Sequence, residues 1–121
     1  MKKSDIIFPL ICASLPLFLL ICGVSAVRVD GNSMSPALSD GDVLLCLKKS
    51  GISRGDIAVF SLKDSNIVKR VADISRDGFR VLGDNREYSI DSRIFGRLPL
   101  SAFKGRAVLR IFPLSKAGRI G

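Results

Sequence analysis

Ser33 and Lys69 are the two residues of this sequence whose types could together carry out nucleophilic chemistry. The 121 residues contain no histidine, so neither a Ser-His-Asp triad nor a Cys-His pair can form. A lysine can take the place of histidine as the base when burial disfavours its charged form and lowers its pKa. A serine and a lysine are therefore the pair to look for.

Lys69 lies in the strand-like run "NIVKRVAD". Because side chains alternate between the faces of a strand, Lys69 shares a face with Ile67 and Val71, whereas Arg70 points the other way. An ammonium group between two branched aliphatic side chains on a core-facing surface is costly, so its pKa falls. The alternative is an ordinary lysine on the exposed edge of a strand.

Ser33 lies in "VDGNSMSPAL", between the chain-breaking residues Gly31 and Pro36. Gly31 allows close approach of the backbone, and Pro36 fixes the direction in which the chain leaves. The Ser33 amide could then point at a bound carbonyl as an oxyanion donor. The alternative is a simple turn serine, a common residue in such segments.

A second polar cluster, "GDNREYSIDSRIFG", runs from Gly83 to Gly96 and lies between strand-like segments. We interpret it as a scaffold in which Asp91 and Arg93 pair to hold the loop. Ser89 would exchange a hydrogen bond that orients the lysine. A charge-rich surface hairpin is the alternative.

Short apolar runs alternate with turn signals along the chain after residue 27. Each run is predicted to be a strand, and the turns between them are rich in Gly, Asp, Asn and Ser. The runs are "VRVD", "DVLLCLKK", "DIAVFSL", "NIVKRVAD", "FRVLG" and "AVLRIF". Strands at this spacing predict a mainly β fold, a small barrel or sandwich.

The N-terminal segment is strongly apolar. Residues 6–27 form 22 consecutive residues without a charge, and a helix of that length reaches about 33 Å, enough to cross a membrane. We expect residues 1–27 to be a cytoplasmic start and membrane anchor, and residues 28–121 to be an extracytoplasmic domain. Lys2 and Lys3 favour that orientation. The alternative is a cleaved signal peptide, since "VSA" at residues 24–26 has the small residues of a cleavage site.

The formal net charge is +8, with the Lys and Arg residues scattered along the chain. With one Tyr and no Trp, nucleic-acid binding has only bulk charge in its favour. A basic surface resting on anionic lipid headgroups fits the apolar segment better. The three cysteines suggest no metal cluster, and we expect neither a metal nor a cofactor.

Taken together, these motifs resemble the bacterial type I signal peptidases, the membrane-anchored Ser-Lys proteases, in their short Gram-positive form. "VDGNSMSPAL" is similar to the nucleophile box, "GDVLLC" and "RGDIAVF" to the next two boxes, and "IVKRV" to the general-base box. "GDNREYSIDSR" resembles the most distinctive loop of the family. The resemblance covers almost the whole chain in order.

The resemblance implies Ser33 as nucleophile and Lys69 as general base, with Ser89 hydrogen-bonded to the lysine. It places Met34 beside the pocket for the small residue that precedes the cut. Some members carry a side-chain oxyanion donor two positions before the nucleophile; Gly31 stands here, which leaves backbone amides for that role.

The resemblance also implies supporting ion pairs, Asp91 with Arg93 and Asp84 with Arg70. The implied activity is removal of signal peptides from exported preproteins after Ala-x-Ala sites. Two departures from the family pattern, Glu87 and Ala37, bear on substrate preference more than on activity.

Three alternatives remain open. A self-cleaving Ser-Lys protease of the SOS-repressor kind shares the fold, but the apolar segment and the lack of a DNA-binding helix pair oppose it. A processing peptidase dedicated to one pathway, such as conjugation, differs only in its substrates. A non-catalytic membrane-anchored β module would keep the fold with an idle Ser-Lys pair.

Overall fold

A computed structural model of the protein describes residues 23–120. Seven strands form one antiparallel sheet in the order β1-β2-β6-β3-β4-β5, with β7 paired to β6. The strands are β1 Val24–Arg28, β2 Val43–Leu47, β3 Ile57–Leu62, β4 Ser65–Ser75, β5 Gly78–Leu82, β6 Phe103–Phe112 and β7 Gly118–Arg119. A four-residue helix, α1, spans Ser92–Phe95, and short 3-10 turns span Arg86–Tyr88, Leu100–Ala102 and Leu114–Lys116.

Five of the six apolar runs predicted as strands contain a strand, and the sixth, "VRVD", overlaps β1 only at Val27 and Arg28, which confirms the mainly β prediction. The two-residue strand β7 was not predicted, because Gly118 and Arg119 show no alternation of polar and apolar residues.

Among the described residues the sheet is open and does not close into the small barrel that the sequence predicted. Within residues 23–120, β1 and β5 stand at the two ends of the pairing order and do not pair with each other. The strand β4 pairs with β5 only from Arg70 onward. Its first residues, 65–69, are therefore bonded to β3 alone.

The sheet carries apolar clusters on both faces. Alternation along β3 divides them: Val59 belongs to one cluster, whereas Ala58 and Phe60 belong to the other. The first cluster receives Met34 and Leu38 from the chain between β1 and β2. In the second, Phe60 packs against Phe79 and Phe103, with ring centroids 5.2 and 6.2 Å away.

The predicted anchor lies largely outside the described residues. Strand pairing begins at Val24, opposite Leu47, so residues 24–27 belong to the sheet rather than to the apolar segment to which the sequence assigned them. The "VSA" triplet is the first part of β1. Residues 23–120 contain no helix with the length and apolar character to cross a membrane.

Candidate active site

The segment between β1 and β2, residues 29–42, is called the serine loop here. Its ends are tied together, because the Val29 N–H donates to the Asp42 carbonyl at 2.7 Å and the Gly41 N–H donates to the Val29 carbonyl at 2.8 Å. Met34 and Leu38 are buried beneath it and anchor it to the sheet. These contacts hold the loop that carries Ser33 in a fixed position against the sheet.

Gly31 forms the turn that precedes Ser33. Its φ of +84° lies in the left-handed region that favours glycine. The Gly31 N–H donates to Asp40 Oδ1 at 2.7 Å, so this amide is occupied within the loop and is not free to face a substrate oxygen. Gly31 shapes the loop but does not offer an oxyanion donor.

Strand β6 braces the serine loop through a contact that sequence reasoning missed. Arg110 Nη1 donates to Asp42 Oδ2 at 2.9 Å, and Nη2 of the same side chain donates to the Ala37 carbonyl at 3.2 Å. Asp42 is buried, and a buried carboxylate needs such a partner. The two residues are 68 positions apart, a separation at which sequence pattern carries no signal.

The structure brings Ser33 and Lys69 together: Lys69 Nζ lies 2.7 Å from Ser33 Oγ. Lys69 is 6% exposed and stands on the core side of β4, with Ile67 and Val71 packed into the second apolar cluster, as alternation predicted. Burial lowers the pKa of the Lys69 amine below its ordinary value of 10.5, while the negative charge of Asp91 opposes that shift.

Asp91 is fully buried and is the hub of the second polar cluster. Burial alone would raise the pKa of its carboxyl group, but hydrogen bonds from Arg93, the Gly83 amide and Ser89 outweigh burial and hold that pKa well below its ordinary value. Arg93 Nε lies 2.9 Å from Asp91 Oδ1, so the predicted pair is present. A charged carboxylate therefore lies buried near Lys69.

Contrary to expectation, Ser89 and Lys69 share no hydrogen bond among the described residues. The Ser89 hydroxyl donates to Asp91 Oδ2 at 2.9 Å instead. The carboxylate is the stronger acceptor in this buried setting, since hydrogen bonds to an ionised group are shorter and stronger than those between neutral groups. Ser89 is thus part of the hydrogen-bonded cluster around Asp91, whose charge acts on Lys69.

The loop before Ser89 closes on the serine loop. The Asn85 N–H donates to the Ser33 carbonyl at 2.8 Å, and Asn85 Nδ2 donates to the Asn32 carbonyl at 3.1 Å. A Cβ on Gly83 would lie 2.5 Å from Ser89 Cβ and 2.6 Å from the Ser33 carbonyl oxygen. The sequence analysis did not assign these roles to Asn85 and Gly83, although both residues lie in the polar cluster of residues 83–96.

The predicted ion pair of Arg70 and Asp84 is present and bidentate. Arg70 Nε and Nη2 lie 2.9 and 2.8 Å from the two oxygens of Asp84. The hydrogen bond and charge of Asp84 raise the pKa of Arg70. Arg70 directly follows Lys69 in β4. Its ion pair with Asp84 therefore ties this part of β4 to the start of the loop that carries Asn85.

Two cavities adjoin Ser33. The smaller, about 70 Å³, lies between residues 28–30 on one side and residues 66–69 on the other. The larger, about 330 Å³, is open and lined by apolar side chains that include Leu62, Ile67 and Tyr88.

Met34 lines neither cavity, contrary to expectation. It is 1% exposed and packs inside the first apolar cluster, because its side chain points under the serine loop rather than out of it. Among the described residues, no three carboxylate or thiol side chains converge where a metal ion could bind.

Comparison of the sequence with known proteins places this chain in a family. The Peptidase S24-like family model matches residues 22–94, a range that contains Ser33, Lys69 and Asp91.

Human mitochondrial inner membrane protease subunit 1 is 32% identical, over 76% of this chain and 72% of its own length. Signal peptidase I of Streptococcus pneumoniae is 42% identical, over 56% of this chain and 39% of its own length. Subunit 2 of the mitochondrial protease from Danio rerio is 34% identical, over 77% of this chain and 67% of its own length. The chain therefore belongs to the Peptidase S24-like family, as a protein similar to the type I signal peptidases.

Proposed function

We propose that this protein is a membrane-anchored serine endopeptidase that removes signal peptides from exported preproteins, with Ser33 as nucleophile and Lys69 as general base. The observation that carries the proposal is the 2.7 Å separation of Lys69 Nζ and Ser33 Oγ. At this distance a proton can pass from hydroxyl to amine, provided that the amine is neutral. Burial of Lys69 favours that neutral form.

The reaction is acyl transfer in two halves. Neutral Lys69 accepts the Ser33 proton as Ser33 Oγ bonds to the substrate carbonyl carbon, and the charged lysine then protonates the departing amine as the peptide bond breaks. In the second half Lys69 takes a proton from water, the water oxygen attacks the acyl-enzyme, and Ser33 leaves with that proton. The carboxylate of Asp91 stabilises the protonated Lys69 that forms transiently in each half of the reaction.

Oxyanion stabilisation falls to backbone amides. The Gly31 N–H is engaged with Asp40, whereas the Ser33 N–H has no acceptor among the described residues. The Ser33 amide is thus the donor that we assign to the developing negative charge. Asn85 holds the peptide unit that follows Ser33 through its bond to the Ser33 carbonyl.

The substrate would bind as an extended strand beside Ser33, where main-chain hydrogen bonds provide affinity. The 70 Å³ cavity between residues 28–30 and 66–69 has room for a small side chain only, which supports cleavage after residues such as alanine. Signal peptidase I among the relatives supports a signal-peptide substrate.

The proposed arrangement keeps the apolar N-terminal segment as an anchor in the cell membrane and the folded domain on the extracytoplasmic side. The alternative cleavage site, "VSA", supports retention, because its residues are hydrogen-bonded into β1 and are not available as an extended substrate. The net charge of +8 supports contact with anionic lipid headgroups.

A second candidate is a peptidase dedicated to a few proteins of one pathway. The three relatives named mitochondrial inner membrane protease subunit 1, from human, Xenopus tropicalis and mouse, support it, since their names denote a protease other than signal peptidase I. The chemistry is the same on either proposal, and only the range of substrates differs. Mass spectrometry of preproteins that accumulate when the chain is depleted distinguishes many substrates from few.

The decisive experiment incubates the full chain in detergent with a preprotein that carries an Ala-x-Ala site. Ser33→Ala and Lys69→Met should each reduce cleavage by on the order of 10³-fold or more. Methionine retains most of the lysine volume, so the fold should persist. The controls are Ser101→Ala and Lys116→Met, which change exposed residues away from the site.

Circular dichroism should show that all four variants are folded. Cleavage at the wild-type rate by either site variant would eliminate the proposed Ser-Lys pair. A wild-type chain that cleaves no preprotein would instead favour a non-catalytic module.

A further inference from the structure

A groove continues away from Ser33 along β1. Its first part is the small cavity beside Ser33, which includes Asn66 in its lining. A further cavity of about 380 Å³ also includes Asn66 and is lined by residues 23–27 on one side and Val59 on the other. The shared residue shows that the two cavities adjoin.

Among the described residues, both walls of the groove have free backbone edges in its first part, between Ser33 and Asn66. On one wall β1 pairs only with β2. On the other, residues 65–69 of β4 pair only with β3, since pairing with β5 begins at Arg70. An extended peptide between them could bond to both edges.

The far end of the groove is positively charged. Lys48 and Lys104 line it, and both are exposed. Among the described residues neither lysine has a carboxylate within ion-pair distance, and the cavity lining contains no acidic residue. The Lys48 N–H donates to the Gly23 carbonyl at 2.7 Å, which holds this charged corner against the start of β1.

We propose that Lys48 and Lys104 bind an acidic side chain of the substrate, located five to seven residues before the cut. This inference rests on the proposed function. The residue before the cut would lie near Val29, beside the small cavity. Along the wall formed by β1, Val24 precedes Val29 by five residues, which is roughly 17 Å in an extended strand. A substrate that runs beside β1 would therefore reach the two lysines with the residues at positions five to seven before the cut.

The direction of the substrate follows from its attachment. The membrane-embedded part of a signal peptide precedes the cut, and the apolar segment of this chain precedes Gly23. If both leave the same membrane surface, the upstream part of the substrate runs toward Gly23. We favour a peptide over a lipid headgroup as the ligand, because the lysines line a groove walled by free strand edges that a headgroup would not use.

The test uses synthetic peptides with one Ala-x-Ala site and the full chain in neutral detergent. Glutamate is placed singly at each position from the third to the ninth before the cut, with glutamine at the same position as its neutral match. We expect kcat/KM to be roughly three- to tenfold higher for glutamate than for glutamine at positions five to seven. The preference should shrink in 0.5 M salt, because exposed charges are screened.

The double variant Lys48→Glu/Lys104→Glu should abolish the preference for glutamate and favour lysine at the same positions. Its matched control is Lys116→Glu, an exposed lysine that does not line the groove. The control should retain the wild-type preference. The readout is the ratio of kcat/KM for the glutamate peptide to that for the glutamine peptide within each variant, so a change in overall rate does not affect the comparison.

Equal rates for glutamate and glutamine at every position would overturn the inference and leave the proposed function standing. Failure of every peptide to be cleaved would instead count against the proposed function itself. A third outcome also overturns the inference. If the double variant differs from wild type only when anionic phospholipid vesicles are present, and by the same factor for every peptide, the two lysines bind a lipid surface.

Discussion

The amine of Lys69 is subject to two opposing effects. Burial against Ile67 and Val71 disfavours its charged form, and the carboxylate of Asp91 favours it. Burial is the larger effect, so the pKa lies below 10.5. An amine whose pKa is lowered by burial is neutral over a wider pH range than an exposed lysine, which suits the proposed role as a base.

The pH dependence of cleavage should follow Lys69. Because the neutral amine is the active form, kcat/KM should rise with pH through a single ionisation whose midpoint lies below 10.5. The measurement is kcat/KM for one Ala-x-Ala peptide between pH 5 and 10, with circular dichroism at each pH to show that the chain stays folded. A rate that is constant from pH 5 upward would contradict a lysine base.

Asp91→Asn should move that midpoint to lower pH. The carboxylate raises the pKa of Lys69, so its removal leaves burial unopposed. The measurement is the same pH profile, which separates an effect on Lys69 from a loss of folded protein. Ser89→Ala is the matched control, because it removes a hydrogen bond to Asp91 but keeps the charge. A midpoint that rises, or that moves equally in both variants, would refute this role for Asp91.

At the scale of elements, two loops determine the position of Ser33. The serine loop is held from below by Met34 and Leu38 and from the side by Arg110. The loop that follows β5 holds it from the other side through Asn85. The two loops can approach closely only because residue 83 has no side chain.

Gly83→Ala should therefore destabilise the chain and reduce cleavage. The added Cβ would lie 2.6 Å from the Ser33 carbonyl oxygen, a backbone atom that cannot move without shifting Ser33. We expect a loss of about 2 kcal/mol or more in the free energy of unfolding. Urea denaturation and peptide cleavage measure the two effects.

Gly51→Ala is the control, since a Cβ there meets no atom within 4 Å and its φ is not positive. Its free energy of unfolding should stay within about 0.5 kcal/mol of wild type. A Gly83→Ala chain as stable and as active as this control would show that the loops do not need their close approach.

At the scale of the whole molecule, the open sheet is the main feature. It has apolar clusters on both faces, so its core does not depend on closure into a barrel. Its free edges at β1 and at the start of β4 leave the groove in which we place the substrate. Strand β1 is thus both part of the fold and one wall of the site.

Truncation tests where the folded part begins. A chain that starts at Gly23 keeps all five residue pairs between β1 and β2, whereas one that starts at Val27 loses those of Val24, Ser25 and Ala26. The shorter chain should unfold at a lower temperature and cleave peptides more slowly, because β1 leads into the serine loop. Thermal unfolding of the two chains measures the difference. Equal melting temperatures would place the start of the folded domain after residue 26.

The sequence by itself determined the main strands and the Ser33–Lys69 pair that we propose as catalytic. Alternation and turn residues are local properties, so the six apolar runs were recognisable without any knowledge of their partners. The absence of histidine directed attention to Lys69, and alternation along "NIVKRVAD" placed that side chain on the core face.

The tertiary structure alone decided the contacts between distant segments. Ser89 bonds to Asp91 instead of Lys69, Met34 lies in the core instead of at the pocket, and the sheet stays open. Each of these outcomes depends on how loops far apart in the chain approach one another. Residue types show which hydrogen bonds are available, but a buried donor selects its acceptor by distance and charge, and only the folded backbone sets those distances.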